Sequence, residues 1–275
     1  MNNGNSLAEA PVCATCGTQY PPASGFPAGC PVCLDERQYV GWAGQRWTTS
    51  GRLAAGHAIR FDEAGGVTTM VLDPAFAIGQ RAFLVPQPGG QVMWECLSVV
   101  TDAALDRIAA LGGVQAIAIS HPHFYAAMAE WSAALGGVPI YIHEGDRQWV
   151  PSHASTVRLW SGDRFALSGT LELVHLPGHF PGSAGLWWKG GPRPGGSLFP
   201  GDAIQVVMDR RFATFMYSYP NAIPLGPRAL ARLERHVQPL DFEDLYGFAP
   251  GREIFGNARA RVEASFARYR AALAA

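Results

Sequence analysis

Ser120-His121-Pro122-His123-Phe124-Tyr125 follows the aliphatic run Val114-Gln115-Ala116-Ile117-Ala118-Ile119. The run is short and bounded by Gly112-Gly113, which predicts a buried strand with the histidines at or just past its C-terminal end. In extended backbone, residues two apart project to the same side, so His121 and His123 can aim their imidazoles at one point while Pro122 restricts the chain between them. Two imidazoles aimed at one point suggest a metal ion, although a histidine on its own more often has a plain hydrogen-bonding role.

Two stretches downstream sharpen the signal. Leu171-Glu172-Leu173-Val174-His175 alternates like a strand and runs into Leu176-Pro177-Gly178-His179-Phe180-Pro181-Gly182-Ser183, whose glycines and prolines set a tight turn around His179. Ser197-Leu198-Phe199-Pro200-Gly201-Asp202 is another short apolar strand, ending in Gly-Asp. Each stretch places a candidate ligand directly after a strand, where open α/β sheets gather their sites.

In this order the three motifs resemble those of the metallo-β-lactamase superfamily, over residues 50–255. The resemblance implies an α/β fold of the four-layer αββα sandwich type, with His121, His123 and His179 as ligands of a metal ion and Asp202 as the remaining member of the ligand set. The family pattern H-x-H-x-D-H is degenerate here, because Tyr125 stands at its aspartate and Ala126 at its last histidine. The late stretch Asp244-Leu245-Tyr246-Gly247-Phe248 also lacks the histidine the family carries there. One ion is therefore implied, not two.

Four of the five cysteines form two C-x-x-C knuckles, Cys13-Ala14-Thr15-Cys16 and Cys30-Pro31-Val32-Cys33, separated by a Pro/Gly-rich loop. Four thiolates within reach of one tetrahedral ion give so small a segment folding energy that it cannot draw from a core. The segment resembles the rubredoxin-like module appended to rubrerythrins, which implies zinc or iron. Iron would make it an electron-transfer unit, and zinc a structural or protein-docking knuckle. We assign residues 1–40 to this knuckle and 41–275 to the metallo-β-lactamase-like domain. Cys96, in a strand-like run, reads as a buried thiol.

The chain of 275 residues is 48% hydrophobic and 16% charged, which suffices for a sizeable core. Its formal net charge of -1 offers no electrostatic footprint for nucleic acid or an anionic membrane. No apolar stretch is long enough to span a bilayer, and residues 1–9 are polar without the pattern of a secretion signal, so a cytoplasmic protein is expected. A helix capped by Thr101 or Asp102 should run to Leu111, another from Phe124 to Leu135 with both histidines near its N-terminus, and others from Pro227 to His236 and from Ala258 to Ala274. His175 reads as a strand residue with a structural hydrogen bond and His143 as a surface strand-end residue; His57, His153 and His236 have no partner motif. The aromatic-rich run 209–220 could line a pocket in which Arg210 or Arg211 meets a carboxylate, or simply contribute core and surface residues.

A three-histidine ion with an open position makes bound water acidic near neutral pH, so hydrolysis of a small-molecule substrate is the leading expectation, with Asp202 and Tyr125 as catalytic residues. The alternative uses His121, His179 and Asp202 as the two-histidine, one-carboxylate set of mononuclear iron enzymes, which the resemblance extends to persulfide dioxygenases. A third reading is a non-catalytic member of the superfamily whose knuckle binds a protein partner.

Overall fold

The computed structural model describes residues 10–22 and 25–274; the polar stretch 1–9 lies outside them. The chain divides into two compact units, Met1–Tyr141 with Gln148–Arg158, and Ile142–Arg147 with Leu159–Ala275.

The first unit holds five whole strands of a seven-stranded sheet, side by side in chain order. Ala58–Ala64, Val67–Asp73, Arg81–Gln87 and Gly90–Trp94 pair antiparallel. Apolar, largely buried residues make the middle of these strands, and at the hairpin before Gly90 a Cβ would come within 3.1 Å of the Gly113 carbonyl, so only glycine fits. The chain then crosses through the helix Asp102–Ala110, where the Thr101 side chain accepts a hydrogen bond from the Ala104 amide at 3.2 Å, and enters Val114–Ala118 parallel to Gly90–Trp94. This crossover delivers Ser120, His121 and His123 just beyond a buried strand end, as expected from their sequence.

The segment after the histidines differs from the expected helix. Pro122–Phe124 is a single 3-10 turn, and the helix is only Met128–Ala134. Ala126 between them has φ +43°, a left-handed conformation that no helix continues through. The histidines are therefore held by a tight turn and not by a helix N-terminus.

The cysteine knuckles also lie in the first unit, and the connector after them takes part in their framework. Trp47–Thr49 returns to pair antiparallel with Pro11–Cys13, and the helix Ser50–Gly56 comes next. Phe26, Leu34, Tyr39, Val40 and Trp42, all from this segment, are exposed apolar residues.

The second unit has a six-stranded sheet in the order Arg164–Ala166, Leu171–His175, Ala184–Trp188, Ser197–Phe199, Asp244–Tyr246, Glu253–Phe255. Only the Ser197–Phe199 and Asp244–Tyr246 pair is parallel. The helix Pro227–Val237 buries Leu230, Leu233 and Val237 along one face, and with Leu198, Phe215, Phe242, Val262 and Phe266 they form this unit's core. Each such side chain contributes about 1.5–3 kcal/mol through burial. The run 209–220 is divided: Phe215 stacks on Phe266 at 4.3 Å in the core and Arg211 pairs with its neighbour Asp209 at 2.7 Å, while Met216 and Tyr219 lie against His179 and Asp202. Among the described residues, no helix is long and apolar enough to cross a membrane.

Candidate metal centres

Cys13, Cys16, Cys30 and Cys33 are all buried, and one sulfur from each lies within 4.8 Å of the others. The Cys13–Cys33 and Cys16–Cys30 sulfurs are 3.5 Å apart, too far for disulfides. Around a tetrahedral ion with metal–sulfur bonds of about 2.3 Å, the sulfurs sit about 3.8 Å from one another, so the group fits an ion with little adjustment. The Gln45 amide donates to Cys13 Sγ at 3.1 Å, and the Tyr20 hydroxyl is 3.1 Å from Cys30 Sγ. Such donors steady thiolate ligands. Hydrogen bonds from Cys16 and the other thiols hold Cys13 well below the ordinary thiol pKa, while burial pushes Cys16 well above it. Cys96 is buried outside this group, and burial raises its thiol as well.

The imidazoles of His121 and His123 are buried with ring centroids 5.0 Å apart. Nδ1 of His121 lies 2.7 Å from the Ser120 hydroxyl, so Nε2 is the nitrogen this ring would offer a metal. Ser120 is placed in turn by its backbone N–H, which donates to Glu95 Oε2 at 3.0 Å. On the far side of the turn, the buried Gln80 amide donates to the His123 carbonyl at 3.1 Å and to the Cys16 carbonyl at 2.5 Å. Tyr125 closes the 3-10 turn and is wholly buried.

In the second unit, His179 stands in the loop after Leu171–His175, where the Ser183 hydroxyl accepts from the Phe180 amide at 2.8 Å. Nδ1 of His179 is 3.2 Å from the Met216 carbonyl, so that nitrogen carries the proton, and Nε2, 3.8 Å from Asp202 Oδ2, carries the lone pair. Asp202 lies on the 3-10 turn Gly201–Ala203; the Gln205 amide donates to its Oδ1 at 2.9 Å and the Tyr219 hydroxyl to its carbonyl at 3.1 Å. Burial raises the Tyr219 pKa well above the phenol range, which keeps it a donor. Neutral imidazole nitrogens with a carboxylate form the donor set that zinc and non-haem iron take. Ser120, Gln205 and Tyr219 were not singled out from sequence as supports of the site, and their only sequence signal is nearness to a ligand or to the aromatic run.

No sequence profile of a described family matches the chain. The uncharacterized protein YmaE of Bacillus subtilis strain 168 is 40% identical to it over 268 residues, which cover 95% of this chain and 96% of YmaE. Several solved structures share its fold at low identity. The DIM-1 metallo-β-lactamase exposed to ceftazidime is 12% identical with a TM-score of 0.54, covering 77% of this chain and 97% of its own. The FIM-1 metallo-β-lactamase of Pseudomonas aeruginosa in its mono-zinc form is 12% identical with a TM-score of 0.53, covering 77% and 96%. A B3 metallo-β-lactamase with an active-site glutamic acid is 18% identical with a TM-score of 0.50, covering 75% and 86%. The sheets, the ligand-bearing loops and these likenesses agree: the protein has the metallo-β-lactamase fold with an N-terminal four-cysteine knuckle, and it belongs to the family that includes YmaE.

Proposed function

We propose that the protein is a metal-dependent hydrolase in which a single zinc ion, held by His121, His123 and His179 with its fourth position left to water and Asp202 beside that position, serves the cleavage of a small-molecule ester, thioester, lactone or phosphoester. The observation that carries this reading is the anchoring of both outer imidazoles. His121 and His179 each have Nδ1 engaged by the chain, which leaves Nε2 for a metal. The first unit supplies two imidazoles and the second an imidazole and a carboxylate, the side-chain types that a zinc ion takes. The mono-zinc form in which FIM-1 was solved supports a one-ion centre on this fold.

When bound, the ion supplies a Lewis acid and makes its water acidic near pH ~7. The chain's own residues do the rest. Asp202, with Oδ1 fixed by Gln205, presents Oδ2 to accept a proton. Tyr125, whose ordinary pKa of about 10 makes it a poor base, serves as a hydrogen-bond donor to a developing oxyanion. Burial of His121, His123, His179 and Asp202 keeps bulk water from competing with these contacts. The four-cysteine centre acts as a structural zinc knuckle.

One observation favours a second reading. Tyr125 and Ala126 stand where the superfamily's second site would draw ligands, so His121, His179 and Asp202 can serve as an iron-binding facial triad for oxygen chemistry. Elemental analysis of the chain purified without added metal, beside its His179→Ala variant, tests both. We expect zinc, with the variant losing the ion of the histidine centre while the four-cysteine ion stays. Full metal retention in the variant would overturn the site. Iron lost from the variant, with oxygen uptake on a thiol or persulfide substrate in the parent, would make the oxygenase the function.

A further inference from the structure

Three histidines outside the proposed site gather in the second unit. His143 stacks face to face on His175 with centroids 4.1 Å apart at 12°, and His236 meets the edge of His175 at 5.3 Å and 79°. Trp160 closes the far side of His143 at 4.6 Å. His143 is thus buried, not a surface strand end, and His236 has a partner that no motif announced.

Packing alone would explain three stacked rings, but the ring nitrogens are not equivalent. His175 Nε2 donates to the Pro181 carbonyl at 2.8 Å, which fixes its tautomer and leaves the lone pair on Nδ1. His236, in the last turn of Pro227–Val237, has Nδ1 3.8 Å from Asp163 Oδ1. One donor atom from each of Asp163, His175 and His236 lies within 4.8 Å of the other two. Ligand atoms bonded to zinc at about 2.0–2.2 Å stand roughly 3.4 Å apart, so closure needs a movement on the order of 1 Å. The Asp163 side chain, 81% exposed, is free to make it. His143 is excluded as a ligand, because Nδ1 accepts from the Gly145 amide at 3.1 Å and Nε2 donates to the Gly162 carbonyl at 3.3 Å. Those bonds instead hold the loop that presents Asp163.

We propose that Asp163, His175 and His236 form a third metal site, distinct from the two centres above, that takes a divalent ion of the zinc class and leaves its fourth position to an exogenous ligand. Two imidazoles and a carboxylate with one open position form a recurrent zinc donor set. Arg232, one turn before His236 on the same helix, opposes positive charge at both imidazoles, as Arg235 does at His236. That repulsion weakens the site and gives it a distinctive test.

The full-length protein is titrated with zinc chloride by calorimetry, with elemental analysis after dialysis, in parallel with Asp163→Asn, His236→Gln and Arg232→Gln. We expect the parent to take up one equivalent more than Asp163→Asn and His236→Gln, which keep the ions of the other centres, and Arg232→Gln to bind that equivalent about tenfold more tightly. Asp163→Asn changes an exposed side chain, so misfolding does not confound it. Equal stoichiometry and affinity in the parent and the two ligand variants would overturn the proposal. This outcome does not depend on His179→Ala, since the two experiments count different equivalents.

Discussion

The Ser120 hydroxyl, 2.7 Å from His121 Nδ1, does for that imidazole what the Met216 carbonyl does for His179: under the proposed function it sets which nitrogen the ring would offer a metal. Removing such a support from a metal-binding histidine lowers affinity by roughly 10- to 100-fold. Ser120→Ala should therefore lower affinity for the histidine-centre ion by about that factor, read by competition with a chelator of known affinity, with the four-cysteine ion unmoved; an unchanged affinity would remove Ser120 from the site. The candidate ligands could be singled out in the sequence because H-x-H, P-G-H and G-D each come directly after a strand, as the structure also has them. Ser120, Gln205 and Tyr219 were not, because a hydrogen-bond partner contributed by a turn or a distant strand has no spacing rule of its own. His236 shows the same limit: it meets His175 only through the packing of a helix on a sheet.

At the scale of elements, one side chain joins the knuckle to the turn that carries the histidines. Gln80, in the loop before Arg81–Gln87, bonds the carbonyls of both Cys16 and His123. Gln19 repeats the link, its backbone amide donating to the Ala126 carbonyl at 2.9 Å and its side chain to Glu130. Gln80→Leu would leave two buried carbonyls unsatisfied, at about 1–3 kcal/mol each. We expect a loss of roughly 2–6 kcal/mol in chemical denaturation together with easier release of the histidine-centre ion; a stability within about 0.5 kcal/mol of the parent would show the bridge to be idle. Strands and long helices were legible here, since Val67–Asp73 and Pro227–Val237 carry clear periodicity. The three-residue pairing of Pro11–Cys13 with Trp47–Thr49 was not, because strands so short carry no pattern. The left-handed Ala126 that cuts the expected helix was equally silent, since alanine is the residue least suggestive of a break.

For the whole molecule, fold class was readable because the motif order is specific to one superfamily, while the two compact units arise from contacts that composition does not announce. Each unit carries its own sheet and core, so metal removal should act locally. Stripping the four-cysteine ion with a thiol reagent should loosen residues 10–50 and leave the core around Phe215 and Phe266 protected, as hydrogen exchange would record; global loss of protection would contradict this. The knuckle offers a simpler readout as well. Trp42 is wholly exposed and lines a cavity of ≈ 390 Å³ with Ala14, Thr15 and Tyr39, beside the first cysteine pair, whereas Trp94 and Trp131 are buried. An indole in water emits to the red of a buried one and is open to collisional quenching by iodide. Trp42 should therefore supply most of the red-shifted, iodide-quenched emission of the folded protein, an intrinsic probe of the surface beside the first cysteine pair.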